Sequence, residues 1–282
     1  MNDMSSQSSG SRPGFPGLLK HWRGLRHLSQ LGLATEAGIS ARHLCFLETG
    51  RSQPSREMVV LLARVLAIPL AEQNALLVAA GFAPLYAARD LAAPELAPAR
   101  QALEIMLAHQ EPFPALVLDE SWEVRLRNQA ASRLFGALRP HYDMPPHLAV
   151  NALHSLCHPG GMRRFMVGGE DFIAAFLQML QREASQGLNA AAARLRAELL
   201  AYPGIPELIG AQDDAADASP MALLRYRLGR SEIAFFVTLT QFAMPRDVTL
   251  QQVKFEGFFP ADEATASWAK RLAADPALSV FD

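Results

Sequence analysis

The 282-residue chain is half hydrophobic and 19% charged, which excludes a disordered chain and leaves room for two folded domains. Its two cysteines, Cys45 and Cys157, lie far apart, which excludes a disulfide framework and fits a reducing, cytoplasmic setting. The net charge of −2 hides an asymmetry: residues 1–83 hold eight Lys and Arg against five Asp and Glu, and the remainder holds 18 against 23. A mildly basic front on an acidic body fits a DNA-binding head carried by a separate domain.

Residues 1–14 are polar and Ser-rich and read as a disordered tail without an apolar signal core. No run of roughly 18 apolar residues occurs, so no membrane span is expected. Residues 15–83 read as short helices joined by tight turns, and residues 84–98, with Pro84, Pro94 and Pro98 among alanines, read as a linker. A helix is expected over 99–109, then a hairpin: the apolar run 115–118, a turn, and 122–127, where Trp122, Val124 and Leu126 alternate with charged residues. Asn128 is placed to cap a helix through Phe135, stopped by Gly136. Amphipathic helices are expected over 171–185 and 189–201, strands over 222–228, 232–242 and 249–255, and a last helix over 262–273.

The most informative stretch is SQLGLATEAGISARHLCFLETG, from Ser29 to Gly50. Ser29 caps a short helix with Leu33 and Ala34 inside, Gly38 supplies the positive φ of a sharp turn, and Ser40 caps a second helix with Leu44 and Leu47 inside. The second helix then presents Ala41, Arg42, Cys45 and Phe46 outward, as a helix entering a major groove must. With LETGRSQPS following, and Met58, Leu61, Leu62, Val65 and Leu66 on the next helix, the segment resembles the phage-repressor-like (XRE) helix-turn-helix family. That resemblance implies an all-α five-helix head that binds double-stranded DNA. Gln30 would bind a phosphate and brace the reading helix, Ala41, Arg42 and Phe46 would face bases with Ser40 and His43 beside them, and Arg51 would lie near the DNA backbone. Gly32 and Phe46 depart from the usual residues of the family. A single head with so few basic residues binds weakly, so a homodimer on a two-fold site is expected.

The strand–turn–strand–Asn128 helix opening of residues 99–282 resembles the start of a PAS domain. The segments EPFPALVLDESWEV, VNALHSLCHPGGM, RAELLAYP and MPRDVTLQQVKFEGFFPADEATA resemble the MmyB-like ligand-binding domain of bacterial regulators more closely. His154 and Gly160 stand where that family more often has Arg and Asp. The resemblance implies an α+β, PAS-like domain with a five-stranded antiparallel sheet and extra helices around a cavity for a small molecule. The expected lining is apolar: Trp122, Leu153, Phe165, Phe172, Phe176, Phe235, Val237 and Leu239, suited to a fatty acyl chain. Arg163, His154 and His158 are the nearest anchors for a carboxylate head.

Other constellations carry less. His154, Cys157 and His158 lack the second ligand pair that a zinc site needs. Gly168 and Gly169 precede a helix without a nucleotide-binding pattern, and Asp213, Asp214 and Asp217 read as a solvated acidic loop. No catalytic constellation, metal or cofactor is expected. The reading is a ligand-responsive transcription regulator. A redox sensor using a cofactor or Cys157, and a DNA-binding protein whose second domain only dimerises, stay open as alternatives.

Overall fold

The computed structural model describes residues 14–185, 190–210 and 221–281. The expected tail up to residue 13, Asn189 and the acidic loop of Asp213, Asp214 and Asp217 lie outside the described residues. The chain forms two compact units that divide between Ala87 and Ala88.

The first unit holds helices α1 (Phe15–Leu25), α2 (Gln30–Glu36), α3 (Ala41–Glu48), α4 (Arg56–Val65) and α5 (Leu70–Ala79). Ser29, Ser40 and Ser55 each open a helix, their side-chain oxygens accepting the backbone N–H of Gly32, His43 and Met58. The core gathers Leu19, Trp22, Leu33, Leu44, Leu47, Leu62, Leu66 and Leu76, all buried. After α5 the chain is fastened back onto it: Asn74 accepts from the backbone N–H of Leu85 and Tyr86 and donates to the Tyr86 carbonyl.

The second unit is α+β. A 3₁₀ turn at Pro94–Leu96 leads into α6 (Ala97–His109), then β1 (Ala115–Leu118), β2 (Val124–Arg127), α7 (Gln129–Leu138), α8 (Ala152–Cys157), α9 (Glu170–Ser185), α10 (Ala190–Leu200) and α11 (Ile205–Gly210). β3 (Leu224–Leu228), β4 (Ser231–Thr240), α12 (Val248–Gln252), β5 (Lys254–Pro260) and α13 (Glu263–Ala274) complete it. The five strands form one antiparallel sheet in the order β2-β1-β5-β4-β3.

Register assigns the faces. Opposed residues share a face, so Arg127, Leu116, Glu256 and Leu239 form one row across four strands, with Phe258 two residues further along β5. This face meets the helices in the main core, while Ala115, Val117 and Phe255 on the other face pack against Leu103 and Leu107 of α6. Asn128 ties three elements together. Its carbonyl oxygen accepts from the N–H of Ala115 and Ala131, and its amide donates to the carbonyls of Leu107 and Phe113.

Three expected elements differ. The second strand starts at Val124, because Trp122 adopts φ +67 in a turn built on the Asp119 carboxylate, which accepts from Ser121 and Glu123 N–H. Gly136 does not stop α7: it is exposed, and burying Leu138 carries the helix past it. The expected strand over 249–255 begins as helix, because Asp247 caps Thr249 and is paired with Arg89 at 2.8 Å, so the strand falls at Lys254–Pro260.

Candidate DNA-reading face and ligand cavity

In the first unit α2 and α3 are joined by a turn at Gly38 (φ +66). Ile39 N–H donates to the Ala34 carbonyl there, so the chain reverses at the one residue type that takes this conformation without strain. α3 lays Leu44 and Leu47 into the core and leaves Arg42 exposed, with Ala41, His43, Cys45 and Phe46 half-buried. The Arg42 guanidinium lies 5.3 Å from the centre of the Phe46 ring, a cation–π contact that holds its donor fork over an apolar surface. Ser40 is occupied as the cap of α3, and exposed Arg51 follows the helix with its N–H on the Phe46 carbonyl.

The far end of α3 is fixed by a polar cluster that the sequence motif only partly revealed. Arg23 of α1 donates to both oxygens of Glu48, at 2.6 and 3.0 Å, and to the Leu28 carbonyl. Gln30 donates to Glu48 at 2.7 Å. Burial acts to raise the Glu48 carboxyl, but the hydrogen bonds from Arg23 and Gln30 outweigh it and hold the group below its usual range. Gln30 thus braces α3 through a side chain of α3 itself. Arg23 was missed because nothing in the local motif announces a partner 25 residues away.

In the second unit a cavity of about 360 Å³ lies between the sheet and α7, α8 and α9. Its wall is mostly apolar, with Leu116, Phe135, Leu153, Leu156, Phe172, Phe176 and Phe258 among the lining residues. Exposed Arg127 and Arg139 also line it, so it reaches solvent beside two guanidiniums that form no ion pair or hydrogen bond among the described residues. Arg125 lines it too, but is held by Asp119 and Glu123. Tyr142, Tyr226 and Glu256 also line it. Burial pushes the Glu256 carboxyl up to about 8, and burial raises both tyrosine hydroxyls as well.

Of the expected lining residues, Leu153, Phe172 and Phe176 are in the wall and five are not. Trp122 is fully buried behind it, edge-on to Phe176, with the Lys254 ammonium 5.0 Å from its ring centre. Phe235 lies in the solid core against Phe258, and Val237 and Leu239 pack against that same core. The helices stand off the sheet at β1, β2, β3 and β5 but not at β4, a spacing that hydrophobic pattern does not encode. Phe165 packs against His141 and Phe281 instead.

The expected anchors are engaged elsewhere. Arg163 donates to the Pro203 carbonyl at 2.7 Å, His158 accepts from Gly160 N–H, and buried His154 bonds Tyr202 at 2.7 Å and Glu198 at 3.2 Å. Burial lowers the His154 pKa, against the pull of Glu198, and the ring ties α8 to α10. Gly160 has its own reason: its carbonyl accepts from Asp143 N–H, and a Cβ there would run into the Asp143 carbonyl. Cys157 is buried and its thiol is pushed up to about 12. Among the described residues no group of three His, Cys, Asp or Glu is arranged to hold a metal. Gly168 and Gly169 lead into a helix whose first turn carries Glu170 and Asp171, a poor seat for an anion.

Comparison with known families agrees with this division. Residues 19–73 match the family model described as Helix-turn-helix, and residues 99–272 match the MmyB-like transcription regulator ligand binding domain. No curated protein matches the chain. The second match spans well over half of the sequence, and the chain therefore belongs to the MmyB-like transcription regulators, with a DNA-binding helix-turn-helix region ahead of a ligand-binding domain.

Proposed function

We propose that this regulator binds an apolar, anion-headed small molecule, a fatty acyl chain being favoured, and that the ligand alters its affinity for DNA. One observation carries the ligand class: a largely apolar cavity of about 360 Å³ whose mouth is flanked by Arg127 and Arg139, neither guanidinium held in an ion pair or hydrogen bond among the described residues. The volume lies in the range of roughly 300–1,000 Å³ usual for small-molecule sites. Each buried methylene contributes about 0.8 kcal/mol, and a guanidinium pair suits a carboxylate head. The strand order β2-β1-β5-β4-β3 around helices supports a PAS-like sensor.

On the DNA side, the reading surface is α3, with Arg42 donating to a guanine edge and Phe46 against a thymine methyl. Ala41 and His43 flank them, Ser40 holds the helix start, Arg51 approaches the phosphates, and Gln30 positions the helix through Glu48. The protein acts as a cytoplasmic homodimer, two heads supplying the phosphate contacts that one basic-poor head lacks. Among the described residues, no helix is long and apolar enough to cross a membrane.

The test is extraction of protein purified under native conditions, followed by mass spectrometry, with dodecanoic acid titrated into the stripped protein. Co-purified acyl compounds, and saturable binding lost in an Arg127→Ala/Arg139→Ala double variant, are expected. An empty cavity that takes up no acyl chain contradicts the ligand assignment.

A further inference from the structure

Three oxygen-bearing groups in the cavity wall form no side-chain hydrogen bond among the described residues. The Tyr226 hydroxyl is shut away from solvent without a partner, and neither the Glu256 carboxyl nor the Tyr142 hydroxyl forms a hydrogen bond among the described residues. Glu256 is 6% exposed and Tyr226 fully buried. All three line the same cavity, and Tyr226 feels both other groups electrostatically, so they make up the uncharged polar part of a largely apolar wall.

Folded proteins pair almost all of their buried polar groups, and an exception asks for a reason. Among the described residues no cation pairs with Glu256: Lys254, two residues away on the same face, sits over Trp122, and Arg127 stands two strands off in the sheet row. A saturated chain filling this cavity would seal all three oxygens against hydrocarbon. A neutral carboxyl and two phenols on one cavity wall offer donors and an acceptor without charge, which matches a hydroxyl or ketone on the ligand. The patch does not suit an anionic head, for which the open arginines at the mouth are the better partners.

We infer that the ligand is an oxygenated amphiphile: an acyl chain with its anionic head at Arg127 and Arg139 and a hydroxyl or keto group that bonds Glu256 and Tyr226. This rests on the apolar-ligand reading above and narrows it. Water filling the patch would predict no preference between plain and oxygenated chains.

The experiment titrates the full-length protein by calorimetry with dodecanoic acid and with monohydroxydodecanoic acids whose hydroxyl is moved along the chain. At least one hydroxylated member is expected to bind about tenfold more tightly than the plain acid, the effect of one good hydrogen bond. That preference, measured against the plain acid on the same variant, is expected to disappear in Glu256→Leu and to shrink in Tyr226→Phe, whereas Glu256→Gln retains it. Should Glu256→Leu not fold, Tyr226→Phe and Glu256→Gln still decide. Equal affinities for plain and hydroxylated acids would overturn the inference while leaving the apolar-ligand reading intact. A preference that survives Glu256→Leu or Tyr226→Phe unchanged would overturn the assignment to this patch. If no acid of either kind binds, both fall.

Discussion

Arg42 and Glu256 each sit where their surroundings set their chemistry. Arg42 is exposed on the far side of α3 and held over Phe46, so its fork is presented with part of its freedom already lost. Arg42→Ala is expected to lower affinity for the preferred sequence by about 1–3 kcal/mol while leaving binding to scrambled duplex and thermal stability nearly unchanged, as competition binding would measure. Glu256 behaves oppositely, as a group buried without a countercharge. Its carboxyl titrates near its ordinary value in the unfolded chain and at about 8 in the fold. Between those values the fold keeps a proton that the unfolded chain has lost. The stability this group contributes is complete below the unfolded value and is lost as pH rises through about 8. Glu256→Gln should therefore flatten the decline in denaturant midpoint between pH 5 and pH 9 (roughly the window between the two values), and an unchanged decline would show that other groups cause it.

Elements were legible wherever a local signal fixed them. Caps at Ser29, Ser40 and Asn128, the Gly38 turn and the inward faces of α3 and α9 are all written within a few residues, whereas on α4 the expected Leu61 is exposed and Val59 and Ala63 are buried instead. What failed depended on distant partners. Trp122 leaves the strand because Asp119 gathers the turn and the indole has a buried seat against Phe176, and the last strand shifted because Asp247 pairs with Arg89, 158 residues away. The cavity lining was legible for Leu153, Phe172 and Phe176 and illegible for Arg127 and Glu256, which only the sheet register joins, and for Arg139 and Tyr142, which follow α7. At this scale Asn128 is the most exposed to test, because one buried amide closes α6, β1 and α7 together. Asn128→Ala is expected to cost about 3 kcal/mol of unfolding free energy, the loss of a cap plus unpaired buried backbone groups, read from chemical denaturation. A loss under about 1 kcal/mol would mean that solvent replaces those bonds.

Across the whole molecule, a reader of DNA and a cavity for a small molecule reside in separate compact units of one chain, and each is built from its own core. Such an architecture regulates only if the ligand favours one state of the protein over another, and the coupling between the two sites is then reciprocal. The direct measurement is the affinity of the full-length protein for a duplex selected from random sequence, taken by fluorescence anisotropy at fixed salt with and without saturating dodecanoic acid. The account predicts a change of about 5–150-fold, abolished in the Arg127→Ala/Arg139→Ala variant. Identical affinities, with the acid shown to be bound, would contradict it.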